Sequence, residues 1–371
     1  MRIAYVVHDY HRAGGHSRYV AELATRFARE HEVHVFANRI ESPQGTGIHF
    51  HRIPAWRATA LGTILSFSVA AVLKMRGEYD IVHIQGFCGP KGNVITTHIC
   101  NEAWYRALLR FDTVNWRDRV GRFITSHLEH RLYRNAGEAR VIAISERVSR
   151  DVRTLYQCRA RTHVIYHGVD LETFSPSTRM RLRAEMRRRW NMPSDRMIFL
   201  FVGNLRKGAR QAIQALARLN SGVLVIASAS DSTAWRTLAQ NLGCGDRVLF
   251  LGRTDRIEEV FAGADAFLLP TPYDSFALVC TEAMACGLPV IISREAGASE
   301  LVEHGINGLL LEDPSSVQEL TGHMASLMEN PSWAADLGLA ARKTVQPMSW
   351  DSVAEQTMRV YEDLVKTSTP V

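Results

Sequence analysis

Tyr273-Asp-Ser-Phe-Ala-Leu-Val-Cys-Thr-Glu-Ala-Met-Ala-Cys-Gly-Leu-Pro-Val290 decides how the rest of the chain is read. An apolar strand pattern, Ala266 to Leu269, runs into a Pro-x-Pro turn just before it. A helix is predicted from near Phe276 to a stop at Gly287, and a second buried strand begins at Val290. The N–H groups of Phe276, Ala277 and Leu278 would crown that helix, the ordinary place for a phosphate. Asp274 precedes the helix, and Glu282 follows it after seven intervening residues. A rise of ~1.5 Å per residue sets Glu282 about 10 Å further along. That is about the separation of sugar and ribose across a diphosphate, so the two carboxylates could grip the ends of a sugar nucleotide. Taken alone, Asp-x7-Glu would ordinarily be an N-cap, Asp274 or Ser275, followed by a solvated helix residue. The remainder of the chain tips the balance.

With 371 residues, 46% of them hydrophobic, the chain can build two domains with separate cores. Met1 to Val7 reads as a buried strand with no basic leader, and Ala58 to Leu73 is too short and too rich in Thr and Ser to span a bilayer. The six cysteines, at 88, 100, 158, 244, 280 and 286, form no CxxC and read as reduced, mostly buried thiols of a cytoplasmic protein. Ile48-His-Phe-His51 places two histidines on one face of a strand. With no Cys or carboxylate beside them in sequence, they read as structural or surface residues, and no metal site is expected. The net charge of +6 divides unevenly, +10 over residues 1–169 and −4 over the rest. A basic first half suits an anionic acceptor or membrane surface. Nucleic acid is not expected as a partner, since no nucleic-acid motif is present.

Strand patterns at Ile3–Val7, Glu32–Ala37, Ile81–Ile84, Val94–Thr97, Val141–Ile144 and His163–Ile165 alternate with amphipathic helices. The alternation restarts at Ile198–Val202 and continues through Val223–Ala227, Val248–Leu251, Ala266–Leu269, Val290–Ile292 and Gly308–Leu311. Between the halves lies a turn-rich connector, Tyr166 to Pro176, and a charged helix, Met180 to Trp190. The expected fold class is α/β: two Rossmann-like, doubly wound parallel sheets facing across a cleft, divided at 1–169 and 170–349.

Further motifs sit where such sheets bind ligands. Gly14 and Gly15 enter a helix after the first strand, in Tyr10-His-Arg-Ala-Gly-Gly-His-Ser-Arg18. The second strand ends in Ala37-Asn-Arg39, without the acid that holds a dinucleotide ribose, so an NAD enzyme is disfavoured. The strand that opens the second half leads into Gly203-Asn-Leu-Arg-Lys-Gly208. His98 ends the apolar run Val94-Ile-Thr-Thr-His98, and Arg253 follows a strand in Leu251-Gly-Arg-Thr254. No Asp-x-Asp occurs anywhere in the chain, so the usual metal clamp of sugar-nucleotide enzymes has no evident ligands.

In this order the motifs resemble family-4 retaining glycosyltransferases of the GT-B fold, similar to bacterial enzymes of lipopolysaccharide core and surface-glycan biosynthesis. Asp274-x7-Glu282 resembles the family's Glu-x7-Glu signature, with the first acid one methylene shorter. The resemblance implies that Asp274 and His98 contact the donor sugar, Glu282 the ribose hydroxyls, and Arg253 the region of the base. Arg206 and Lys207 would neutralise the leaving diphosphate, with Gly14, Gly15 and Gly203 close to the donor. Ala296-Gly-Ala-Ser-Glu300 resembles the small-residue loop of the donor domain, with Glu300 structural. It further implies that the first domain binds the acceptor, the second binds the donor, and a last helix, 350–366, packs back on the first domain. The expected reaction moves a hexose from a nucleotide-diphosphate sugar, UDP-linked, to a surface-glycan or lipid-linked acceptor without cofactor or metal. The expected place is the cytoplasm, at the inner face of the membrane. The arginine and aromatic residues of Trp104 to Arg134, Phe111, Trp116 and Arg117 among them, read as a helix with an arginine face that could lie on anionic lipid. Alternatives on the same architecture are a sugar-nucleotide 2-epimerase and a catalytically weak nucleotide-sugar-binding subunit.

Overall fold

The computed structural model describes the chain except residues 13, 42–46, 76, 90–91, 112–115, 192–194 and 369–371, and except the side chains of residues 60, 111, 116–118 and 368. The expected contributions of Phe111, Trp116 and Arg117 to a basic–aromatic face therefore lie outside the described side chains. The chain forms two compact units, Met1–Gly168 with Trp350–Val371, and Val169–Ser349.

The first unit begins β1 (Arg2–Val6), β2 (Asp9–Tyr10), α1 (Gly15–Phe27), β3 (Glu32–Ala37), β4 (Arg39–Ile40), β5 (Ile48–Arg52) and α2 (Ala60–Lys74). It continues β6 (Ile81–Gln85), β7 (Val94–Thr97), α3 (Asn101–Phe111), α4 (Trp116–Arg134), β8 (Arg140–Ala143), α5 (Glu146–Leu155) and β9 (Thr162–Val164). Seven strands form one sheet in the order β5-β3-β1-β6-β7-β8-β9, every pair parallel. The last helix, Trp350–Ser368, packs on α1. Its buried Tyr361 hydroxyl reaches Tyr5 Oη at 2.9 Å and His83 Nδ1 at 2.6 Å. His83 Nε2 in turn meets Thr96 Oγ1 at 2.6 Å, so a satisfied polar chain crosses an otherwise apolar core.

The second unit holds α6 (Pro176–Arg189), β10 (Ile198–Val202), α7 (Ala209–Ala217), β11 (Val223–Ala227), α8 (Thr233–Asn241), β12 (Val248–Gly252) and α9 (Ile257–Gly263). After these come β13 (Ala266–Leu269), α10 (Leu278–Ala285), β14 (Val290–Ser293), β15 (Leu309–Leu311), α11 (Val317–Glu329) and α12 (Pro331–Val345). Its sheet is also wholly parallel, ordered β12-β11-β10-β13-β14-β15. Helices cover both faces of such a sheet, which is why Ile198-Phe-Leu-Phe-Val202 is apolar at every position and buried throughout. Helix starts follow local chemistry. Ser145, Ser175 and Ser316 cap α5, α6 and α11, and Pro176 and Pro331 open α6 and α12.

In each sheet the strand order reverses beside its first strand: between β1 and β6 in one unit, between β10 and β13 in the other. Loops leaving neighbouring strands part there and open a crevice at the carboxyl ends, the usual seat of a ligand.

Candidate active site

In the second unit, β10 and β13 flank the reversal, and the loops that follow them carry the two groups nearest to chemistry. Lys207, after β10, places Nζ 2.7 Å from Asp274 Oδ2, after β13. The Asp274 side chain is only 10% exposed, against 30% for Lys207, so the pair is held largely out of solvent. Asp274 is fixed through its backbone as well. Its N–H donates to the Glu295 carbonyl, and its own carbonyl accepts from Gly297 N–H. The loop 296–300, singled out for its small residues, thus anchors the acid, and Ala296 forms a parallel bridge with Asp274. On the other side, Gly208 has φ 107°, and a Cβ there would stand 2.2 Å from the Pro270 carbonyl oxygen. Only glycine lets the Lys207 loop lie this close to the Asp274 loop.

The helix after Asp274 starts later than its sequence suggests. Asp274 Oδ1 accepts from Phe276 N–H at 3.2 Å, closing a local turn before the helix begins at Leu278. Phe276 N–H is therefore engaged and does not belong to the crown of open donors. The N-cap is Ala277, in the left-handed region at φ 72°, with no side chain capping it. Neither Asp274 nor Ser275 serves as the N-cap. Ala277 and Leu278 N–H remain at the helix entrance. Glu282 lies on α10 at 5% exposure, so it is not a solvated helix residue. With burial, it helps push the Cys286 thiol up to about 12.

A cavity of about 430 Å³ opens at the ends of β10, β11 and β12, lined by Gly203, Ser228, Ser230, Gly252, Arg253 and Ile257 among others. Gly203, at φ 130°, starts the loop that ends at Lys207 and Gly208, so one short segment connects this cavity to Asp274. Arg253 is exposed at the rim and 3.4 Å from Asp255. Arg206 is exposed, and its N–H is held by Asn204 Oδ1 at 3.0 Å. Sequence reading missed Ser228 and Ser230. They follow β11 in Ala227-Ser-Ala-Ser230, and that strand-end position is the signal that marks them.

In the first unit, His98 follows β7 and lines a cavity of about 220 Å³ with His8, His16, Gln85, Cys88, Asn101 and Glu129. His98 Nε2 is 2.8 Å from Gln85 Oε1, its ring stacks on His167 at 5.4 Å, and its buried Nδ1 has no hydrogen-bond partner among the described residues. Burial, then neighbouring histidines, keep His98 well below the ordinary histidine range. His8 is pushed down to about 4 and His167 to about 3, mainly by burial. The imidazoles are thus neutral near pH 7 and offer lone pairs rather than charge. Gly14, at φ 95°, is the N-cap of α1, and Gly15 is its first residue. Glu129, hidden from sequence reading inside the arginine-rich helix, accepts from Asn101 N–H at 3.0 Å and Tyr156 Oη at 2.6 Å. It thereby holds the start of α3 at the cavity wall.

Residues 183–344 match the model described as glycosyl transferases group 1, and residues 13–173 the model described as Glycosyltransferase Family 4. The D-inositol 3-phosphate glycosyltransferase of Xylanimonas cellulosilytica is 28% identical over 393 residues, covering 95% of this chain and 93% of that protein. The solved structure of WaaG, a glycosyltransferase involved in lipopolysaccharide biosynthesis, matches with TM-score 0.82 at 19% identity, over 97% of this chain and 99% of that one. HepE of Anabaena in complex with UDP-glucose matches with TM-score 0.71 at 20% identity, over 98% and 100%. Two Rossmann-like units of this kind define the GT-B fold, and the chain is a glycosyltransferase. It belongs to glycosyltransferase family 4.

Proposed function

We propose that the protein transfers a hexose, with retention of configuration, from a nucleotide-diphosphate sugar to a glycan or lipid-linked acceptor, without a metal. The observation that carries this reading is the Lys207–Asp274 pair, drawn from both sides of the strand-order reversal and joined by one loop to the cavity at Gly203. Breaking a glycosyl–phosphate bond builds negative charge on the departing phosphate, and a fixed cation stabilises it. In the absence of ligand, Lys207 is held by Asp274. With donor bound, Lys207 and Arg206 would face the diphosphate while Asp274 turns to sugar hydroxyls. Ala277 and Leu278 N–H, at the helix entrance, add donors to the phosphates. The 430 Å³ cavity, with Arg253 at its rim, suits the nucleoside, and Glu282 the ribose. A uridine donor is favoured because the matched Anabaena protein holds UDP-glucose.

The first unit would take the acceptor. Neutral His98, beside the 220 Å³ cavity, can accept a hydrogen bond from a hydroxyl of the donor sugar, and no protein nucleophile is required when the leaving phosphate takes the acceptor proton. Ile64 of α2 and Leu128 of α4 line this cavity, and both helices expose apolar side chains: Val69, Val72 and Leu73 on one, Val120 and Phe123 on the other. Arg119 and Arg122 share α4 with them. This mixture favours a lipid-linked, anionic acceptor met at a membrane surface. No helix among the described residues is long and apolar enough to cross a membrane.

Incubation with UDP-, GDP- and ADP-hexoses and lipid-linked acceptors, followed by NMR of the product anomer, tests the reading. Retained configuration is the expected result, and an inverted product contradicts it. Conversion of a donor alone into its 2-epimer would instead establish the isomerase.

A further inference from the structure

A second group of polar residues lies at the edge of the first unit's sheet, apart from both cavities. On β3, Glu32 and His34 are two residues apart and share a face. On the neighbouring edge strand β5, His49 is the register partner of His34, and His51 lies two residues further on the same face. Three imidazoles and a carboxylate thus collect on one side of two adjacent parallel strands. One ligand atom each from Glu32, His34 and His49 lie within 4.8 Å of one another. His34 Nε2 is 2.8 Å from Glu32 Oε1, and His34 Nδ1 is 2.9 Å from His51 Nε2. The His34 ring also stacks on His49 at 4.8 Å and on His51 at 5.1 Å.

We propose that Glu32, His34 and His49 form a binding site for one divalent transition-metal ion of the zinc class, with His51 orienting His34. Imidazole nitrogen with one carboxylate oxygen is a donor set suited to Zn²⁺, at bond lengths of about 2.0–2.2 Å. Ligand atoms around such an ion stand ~3.3 Å apart. Glu32 and His49 are exposed and can swing inward, whereas His34 is buried and already held. Arg2 shares Glu32 Oε1 at 2.9 Å, which leaves Oε2 for the ion. When the ion takes the Nε2 lone pair of His34, the ring proton moves to Nδ1 and is donated to His51, whose own proton shifts to its Nδ1. His34 then has the orienting hydrogen bond that metal-bound histidines ordinarily carry. Sequence reading set the histidines aside for want of a carboxylate. Glu32 stands far from Ile48–His51 in the chain, and only the β3–β5 pairing brings it alongside.

Zn²⁺ calorimetry, and Co²⁺ titration followed by visible absorption, on the full chain at pH 7.5 test the proposal. One ion per chain with micromolar affinity is expected, with tetrahedral Co²⁺ bands. Binding should weaken at least about tenfold in both Glu32→Gln and His49→Ala, two exposed changes checked for fold by circular dichroism. Absence of saturable binding overturns the proposal. So does equal affinity in wild type and both variants, which would place the ion on other histidines.

Discussion

The two units share one plan, a parallel sheet with its crevice beside the first strand, yet they furnish that crevice in opposite ways. The second unit presents charge: a lysine and an aspartate 2.7 Å apart, set by a glycine that touches the opposing loop. The first unit presents neutral imidazoles, with His8 pushed down to about 4 and His167 to about 3. On the proposed function, the difference follows from the ligands. A diphosphate needs fixed cations as it departs, whereas sugar hydroxyls are held by neutral acceptors too weakly basic to take their protons.

Four changes break or sharpen this contrast. The largest effect should come from Lys207→Ala, which removes the cation placed for the diphosphate. Transfer rate should fall about 100- to 1000-fold in steady-state assays, with the fold kept by circular dichroism and unfolding shifted by about 1–3 kcal/mol because the nearly buried Asp274 carboxylate loses its partner. Acid should act next, and on the first unit. Its buried histidines have pKa values held below the unfolded value of about 6.5, so below that pH the unfolded chain takes up more protons. Their contribution is complete above pH ~6.5 and is lost as pH falls toward 4 for His8 and toward 3 for His167. Each of His8, His98 and His167 should therefore remove roughly 2 kcal/mol of stability between pH 7.5 and 5, several kcal/mol together. Hydrogen exchange should show the first unit opening before the second.

Gly208→Ala comes third, because its new methyl would meet the Pro270 carbonyl oxygen in a backbone conformation that alanine avoids. A loss of about 2 kcal/mol in urea unfolding is expected, together with weakened nucleotide binding. Ala277→Gly should give the smallest effect, with the opposite sign. It relieves the left-handed N-cap and should stabilise the second unit by up to about 1 kcal/mol in the same unfolding experiment.

The sheet strands were legible in the sequence because buried parallel strands leave short apolar runs such as Ile198–Val202. The motif loops were legible because they follow those strands. What escaped depends on contacts between distant residues. The helix after Asp274 starts at Leu278 because the Asp274 carboxylate takes the Phe276 N–H into a turn. Residues 101–111 form a helix whose first N–H is satisfied by Glu129, far along the chain, so no local cap announces it. Residues 331–345 form another, and there Pro331 after Asn330 was a readable start signal. The Lys207–Asp274 pair joins residues from two separate motifs, and neither motif predicts the other's position.

The central claim is that the second unit binds a nucleotide diphosphate with its own cations. The measurement that tests it most directly is calorimetric binding of UDP, GDP and ADP, with and without Mg²⁺, to wild type, Lys207→Ala and Glu282→Ala. The account predicts saturable binding of one nucleotide, UDP, unchanged by Mg²⁺ and lost or weakened at least about tenfold in both variants. Binding that requires Mg²⁺, or that survives both substitutions unchanged, would contradict it.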